Sequence, residues 1–441
     1  MIRWLRLLPA ILAVAGCESY RASPLPAQPR LATSVADLLH QGPLPPRLGV
    51  ADIAMLAAAN NPGLRAERDR SGLAEAQVLQ AGILPNPQLS PFYQPNLTAP
   101  AATTIAWGAS LSQDVKALVT IGARKASARA AARSVAADVL WQEWQVIGNA
   151  RLLAVDLMAA EQQRALLTQA QTLLADMDRG AASALASGTI ALTDTAPLLV
   201  ARNDLTVQLA ALDRQSQRWH QQLAALIGLA PDAGLPLAER PGLAPPDAAG
   251  VRQMLPDLPR HRPDLVALQL GYQAQEETVR GAILAQFPAL VVGLTGGRDN
   301  TNDYYLGPQV TFDLPVFDRN QGGIAIARAT RQRLGDEYAV RLAAAVAEVS
   351  AMLAQIALVQ QQIVADEADV AASGRSRTAA AAAYRAGNLD ARGYLDFIRT
   401  DLAVRLQIAQ LGQSLSEQSV AIETLTGAGM PAIAIQPDPG T

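Results

Sequence analysis

The chain has 441 residues, half of them apolar, with only 17% charged, 4% aromatic and a formal charge of −3 at pH 7. That balance gives no electrostatic footing for nucleic acid, and the shortage of large side chains argues against one conventional globular core of this size. Alanine supplies much of the apolar fraction, which suits closely packed helices. Cys17 is the only cysteine, so an internal disulfide is excluded and the fold must hold by packing and oligomerisation.

The N-terminus reads as a secretory signal. Arg3 and Arg6 precede an apolar run from Leu7 to Ala15 that is too short to span a bilayer. Small residues at Ala15 and Gly16 directly before Cys17 resemble the lipobox of bacterial lipoproteins, which predicts residues 1–16 as a signal peptide and Cys17 as the acylated residue. The alternative is a cleaved signal with an incidental thiol. Glu18 is not the aspartate that in lipoproteins favours inner-membrane retention, so the lipid is expected in the outer membrane of a Gram-negative cell. An extended segment, residues 17–50, follows.

The rest of the chain repeats itself. A shift of 201 residues (263 minus 62) superposes Pro62 on Pro263, Leu64 on Leu265, Glu75 on Glu276, Pro87 on Pro288 and Gly122 on Gly323. Asp204-Leu205 then meets Asp401-Leu402 after a short deletion. A period of this size predicts two copies of one unit, residues 51–228 and 263–428. Each copy should hold a helix, a β-hairpin and a long helical hairpin. Between them lies a proline-rich linker, 229–262, expected to be extended because proline fixes φ and restricts its predecessor. A tail, 429–441, ends the chain.

Within the first copy, residues 86–113 carry no charge, and four prolines forbid a buried helix there. The period is two. Ile105, Trp107, Ala109 and Leu111 alternate with Ala106, Gly108, Ser110 and Ser112. In the second copy, over about 288–315, Leu306, Pro308, Val310, Phe312 and Leu314 alternate with Tyr305, Gly307, Gln309, Thr311 and Asp313. An apolar face opposite a small polar face over roughly ten residues fits a membrane strand with a wet lumen. A soluble sheet lying on a helix would alternate in the same way; the outer-membrane signal and the flanking Tyr93, Tyr304 and Tyr305 favour the membrane reading.

No proline occurs between Pro100 and Pro197 or between Pro315 and Pro431. In these gaps apolar residues step by sevens, through Leu153, Ala160, Leu167 and Leu174 in the first copy and Leu342, Val349, Ile356, Ile363 and Val370 in the second. Sustained heptads predict coiled-coil packing. A helix over about 116–179 would be roughly 95 Å long, with Gly180 or Gly188 ending it and Gly387 ending its counterpart. Four strands per chain cannot close a barrel, and lipid tolerates no open sheet edge. Three chains sharing about twelve strands form the smallest closed barrel with a passage.

Several local motifs, in order and duplicated, resemble the TolC family of outer-membrane efflux channels. They are Asn61-Pro62, Leu84-Pro85-Asn86-Pro87, Arg262-Pro263-Asp264-Leu265 and Leu314-Pro315-Val316-Phe317-Asp318. The resemblance runs from about residue 50 to 428. It implies a mostly α, internally duplicated chain whose helical hairpins form a trimeric α-barrel continuous with a shared β-barrel of about twelve strands. It also implies a passive exit duct of a tripartite system, partnered by a periplasmic adaptor and an inner-membrane pump of RND type. The segment Tyr384-Arg385-Ala386-Gly387-Asn388-Leu389-Asp390, followed by Gly393-Tyr394-Leu395-Asp396, resembles the family's periplasmic tip. By that match Tyr384 is a latch residue and Asp396 is repeated around a narrow lumen, where close carboxylates repel one another and attract cations. Gly393 and Leu389 depart from the pattern of an aspartate and an arginine seen in some members. Asp390 and Asp396 also have a plainer reading, as acids favouring a helix start.

Enzyme chemistry has little support. His40, His220 and His261 stand in unrelated contexts, Gly293-Leu294-Thr295-Gly296-Gly297 reads as a strand end before a tight turn, and no P-loop occurs. No cofactor or metal is expected. The rival function is a periplasmic helical-hairpin adaptor or scaffold lipoprotein without a pore, for which two ribbons of period two in equivalent places of a duplicated chain, the first without charge, would have no use.

Overall fold

A computed structural model describes residues 20–429 apart from 41, 96 and 98–102. The signal segment, Cys17 and the tail beyond 429 lie outside the described residues.

The chain runs α1 (Val50–Asn60), α2 (Pro62–Ala81), β1 (Gln88–Gln94), β2 (Ala106–Asp114), α3 (Lys116–Ala186) and α4 (Leu192–Ile227). Short helices α5 (Ala248–Met254) and α6 (Leu258–His261) lead into α7 (Pro263–Leu284), β3 (Leu290–Arg298), β4 (Tyr304–Phe312), α8 (Gln321–Arg385) and α9 (Ala391–Thr426). The same order of short helices, hairpin, long helix and returning helix occurs twice. With 71 residues α3 is about 105 Å long, and α8, with 65, about 98 Å.

Asn61-Pro62 splits the entry to the first copy into two helices. Proline takes the first helical position, where its missing N–H costs nothing, and Asn61 Oδ1 accepts from Leu64 N at 2.9 Å. Asn61 Nδ2 donates to the Leu226 carbonyl at 2.7 Å, tying this junction to the last turn of α4. In the second copy Arg262 precedes the proline. Its guanidinium is buried, bound bidentately to Asp264 at 3.0 and 2.8 Å and stacked over Trp141 of α3 at 5.0 Å.

Two expectations need correction. The linker is not extended throughout, since α5, a 3₁₀ turn at Leu255–Asp257 and α6 occupy its second half. Pro256 and Pro259 stand in the first turns of these elements, the one part of a helix that tolerates them. Nor does α3 stop at Gly180. It continues to Ala186 because Met177 and Ala181 keep the buried stripe in register across the glycine, at a cost of only about 1 kcal/mol.

Heptad packing governs the core. Leu167, Ala170, Leu174, Met177 and Ala181 of α3, at spacings of three and four, bury against Leu198, Ala201 and Leu205 of α4 and against Ala380, Ala381, Leu395 and Ile398 of α8 and α9. A second cluster joins α1, α3 and the end of α4, and a third joins α6–α9. Small residues let the axes approach: a Cβ on Gly148 of α3 would lie 2.8 Å from Thr424 Oγ1 of α9. Much of α8 is left uncovered. It contains the one described helix with an 18-residue window apolar enough for a membrane span, and only 22% of that window is buried within the chain.

Candidate functional site: a two-faced ribbon and a helical tip

The four strands form one antiparallel sheet in the order β1-β2-β3-β4, so the hairpins of the two copies join edge to edge through β2 and β3. Register aligns the faces. Leu89, Leu111, Leu294 and Pro308 lie directly opposite one another across the sheet, as do Ser90, Ser110, Thr295 and Gly307. Residues directly opposite share a side, so one face is apolar and the other small and polar. On the apolar face Leu89, Leu111, Leu294, Leu306 and Val310 are all more than half exposed within the chain. No helix packs along either face among the described residues.

Glycine sets the shape of the polar face. A Cβ on Gly293 would lie 2.6 Å from the Leu111 carbonyl oxygen, and one on Gly297 would lie 2.5 Å from that of Trp107. The Phe92 ring fills the space over Gly108. Close backbone approach of this kind permits the bend a sheet needs to curl towards a barrel. Both outer strands, β1 and β4, keep an unpaired edge.

At the other end of the molecule the two long helices turn in the same way. Gly188 follows α3 with φ 72°, and Gly387 follows α8 with φ 74°. In each turn the next residue's N–H reaches back five residues, Thr189 to the Ala184 carbonyl and Asn388 to the Ala383 carbonyl, both at 2.9 Å. This is the Schellman arrangement, which needs a left-handed residue. Asp194 Oδ2 accepts from Ala191 N at 2.9 Å to start α4, and Asp390 Oδ1 accepts from Gly393 N at 2.7 Å to start α9.

Tyr384 and Asp396 are not in one cluster. The Tyr384 ring stacks on Tyr394 with centroids 5.0 Å apart, inside the core where all four long helices meet. Asp396 lies exposed two residues beyond Tyr394, and its carboxylate has no partner among the described residues. Asp390 is the helix cap, in keeping with the plainer reading of that acid.

Sequence reasoning missed two polar clusters. Asp401 of α9 is buried and paired with Arg377 at 2.8 Å and Arg405 at 2.9 Å, with Ser373 Oγ donating at 3.1 Å. Its place in the duplication, opposite Asp204, was visible, but Arg377 and Ser373 sit on another helix, α8. Between α3 and α9, Asp156 accepts from Gln413 Nε2 at 3.0 Å. Burial, the hydrogen bond that protonated Asp156 donates to Glu417 and that second carboxyl's charge push Asp156 up to about 7. No group of three or more metal-ligating side chains occurs among the described residues.

Residues 255–428 match the family described as outer membrane efflux protein. The cobalt-zinc-cadmium resistance protein CzcC of Cupriavidus metallidurans is 25% identical over 293 residues, covering 64% of this chain and 66% of that relative, just under two thirds of its length. The solved structure of CusC superposes with a TM-score of 0.71 at 18% identity, covering 94% of this chain and all of that one. The outer membrane protein VceC of Vibrio cholerae gives 0.72 at 16% identity over 86% of this chain and 96% of its own. Sequence likeness to the outer membrane efflux protein family in the second copy, residues 255–428, and likeness of fold to solved outer-membrane channels along nearly the whole length therefore agree with the ribbon and the paired helical hairpins.

Proposed function

We propose that the protein is the outer-membrane exit duct of a tripartite efflux system, a passive channel opened by a periplasmic adaptor and fed by an inner-membrane pump, of RND type by the family resemblance. The observation that carries this reading is the uncovered four-stranded sheet, apolar on one face, small and polar on the other, with both edges free. In lipid an unpaired edge costs several kcal/mol per group. Pairing β4 of one protomer with β1 of the next removes every edge, and three protomers close twelve strands around a passage. The uncovered apolar face of α8 is then covered by neighbouring protomers, and Cys17 anchors the mature N-terminus by lipid.

The helical tip supplies the gate. Three Asp396 carboxylates around the axis narrow the throat electrostatically, and Tyr384, held by Tyr394, fixes where α8 ends. Opening is a repacking of α8 and α9 about Gly387, a change between two packed arrangements. Divalent metal ions are a cargo class suggested by the name of the relative CzcC, and a duct needs no binding site for them.

Heat-modifiable migration of an outer-membrane extract tests the duct against a pore-less adaptor. A closed barrel keeps an oligomeric, fast-migrating form until boiled. Migration that does not change on boiling, together with full solubility of Cys17→Ala, would leave the adaptor as the better reading.

A further inference from the structure

Arg298 is the only cationic residue in either hairpin: residues 86–114 and 288–318 contain no other lysine or arginine. It closes β3, where register sets it between Trp107 on β2 and Tyr304 on β4, and Trp107 in turn opposes Tyr93 on β1. Tyr93, Trp107, Arg298 and Tyr304 thus form one row across all four strands, on the apolar face. The row lies at the hairpin-turn end of the ribbon, away from the helices. The three aromatic rings are 66, 47 and 73% exposed within the chain.

Position along the strand sets the depth. From Leu290 to Arg298 the strand climbs roughly 27 Å, which at a tilt of about 40° leaves roughly 20 Å of height. That is close to the apolar band of a membrane barrel, about 25 Å, so the row falls at its distal water boundary. A charge buried at mid-bilayer would be costly; at this level the cost is small and aromatic rings are at home.

The nearby carboxylates do not neutralise Arg298. Asp299 Oδ1 accepts from the N–H groups of Thr301 and Asp303, both at 2.9 Å, and Asp303 Oδ2 accepts from the Thr301 hydroxyl at 3.3 Å. Both acids are committed to the hairpin turn. Arg298 has no ion-pair partner among the described residues, and its Nε is shielded from solvent without an acceptor.

We propose that this row binds the phosphate groups of lipid A-type glycolipids in the outer leaflet, one site per protomer. The guanidinium fork matches phosphate oxygens bidentately, and the flanking rings rest at the level of the headgroup and the first acyl carbons. The inference rests on the lipid-facing reading of the apolar face, and its test separates the two.

The full-length protein, purified in mild detergent, is compared with Arg298→Gln and Arg298→Lys by native mass spectrometry in the presence of diphosphoryl lipid A, dephosphorylated lipid A or phosphatidylglycerol. Wild type should retain diphosphoryl lipid A on the order of tenfold better than Arg298→Gln, the loss of one charged hydrogen-bonding pair, with Arg298→Lys between them. Dephosphorylated lipid should show no such difference. Equal retention by wild type and Arg298→Gln overturns the proposal, and equal Arg298-dependent retention of phosphatidylglycerol overturns the glycolipid as its ligand. A spin label on Arg298→Cys in bilayers reports which face it occupies. Relaxation by dissolved oxygen with no lipid A difference sinks this inference alone, whereas relaxation by a water-soluble nickel chelate in the lumen sinks the underlying reading of the apolar face.

Discussion

The carbonyl oxygen of His261 lies 2.6 Å from where a side chain on Gly427 would begin, and Gly228 stands in the same relation to Asn60 at 3.2 Å. Each glycine ends the returning helix of its copy with positive φ, 68° at Gly427 and 76° at Gly228. Each caps that helix against the residue two before the proline that opens a new one. The duplication therefore repeats a joint as well as a sequence pattern. Gly427→Ala should destabilise the protein by about 2–3 kcal/mol, combining left-handed strain with a backbone clash. Gly188→Ala, whose Cβ would meet open space, should cost only the strain, about 1 kcal/mol. Urea unfolding of the two variants side by side checks the order, and equal midpoints would refute the clash.

Arg262 gathers the second joint. Burial pushes the Asp264 carboxyl up, but Arg262 and Arg341 outweigh it and hold it below the usual carboxylate range. Because the folded pKa is depressed, this stability is present above the unfolded value near 4 and is lost as pH falls through the folded one. Arg262→Ala should cost roughly 3–5 kcal/mol by leaving a buried carboxylate half-paired. Arg262→Met with Asp264→Leu should cost less than the single change, as a double-mutant comparison of thermal midpoints would reveal.

Asp156 shifts the other way. Its folded pKa near 7 lies above the unfolded value, so the folded state binds the extra proton and stability declines as pH rises from about 4 to about 7, then levels. Asp156→Asn, which imitates the protonated acid, should raise the urea midpoint at pH 8 and change it little at pH 4.5. A pH-independent difference would remove Asp156 from this role.

Conductance reads the tip. Asp396→Ala in planar bilayers should enlarge the single-channel current or weaken cation preference, since in the proposed three-protomer duct it would remove three carboxylates from the throat. Unchanged current and selectivity would exclude Asp396 from the gate. Tyr394→Ala, which removes the ring under Tyr384, should loosen the turn without altering ion preference.

The duplicated plan, the heptads and the two-faced strands were legible in the linear chain because each is a periodicity of local geometry: seven residues per two helical turns, two residues per strand repeat. Left-handed turns at Gly188 and Gly387 were legible for the same reason, since glycine alone accepts positive φ without strain. What the sequence could not disclose depends on residues brought together from far apart. The pairing of β2 with β3 joins the hairpins of two copies, and the second half of the linker turned helical because its prolines fell in first turns. Asp401 with Arg377, Asp156 beside Glu417, and Tyr384 on Tyr394 each needed two helices in contact. Arg298 drew no notice in the linear chain, and only strand register set it in a row with Tyr93, Trp107 and Tyr304. Periodicity is a property of neighbours along the chain, whereas register and helix pairing are decided by which distant surfaces bury each other.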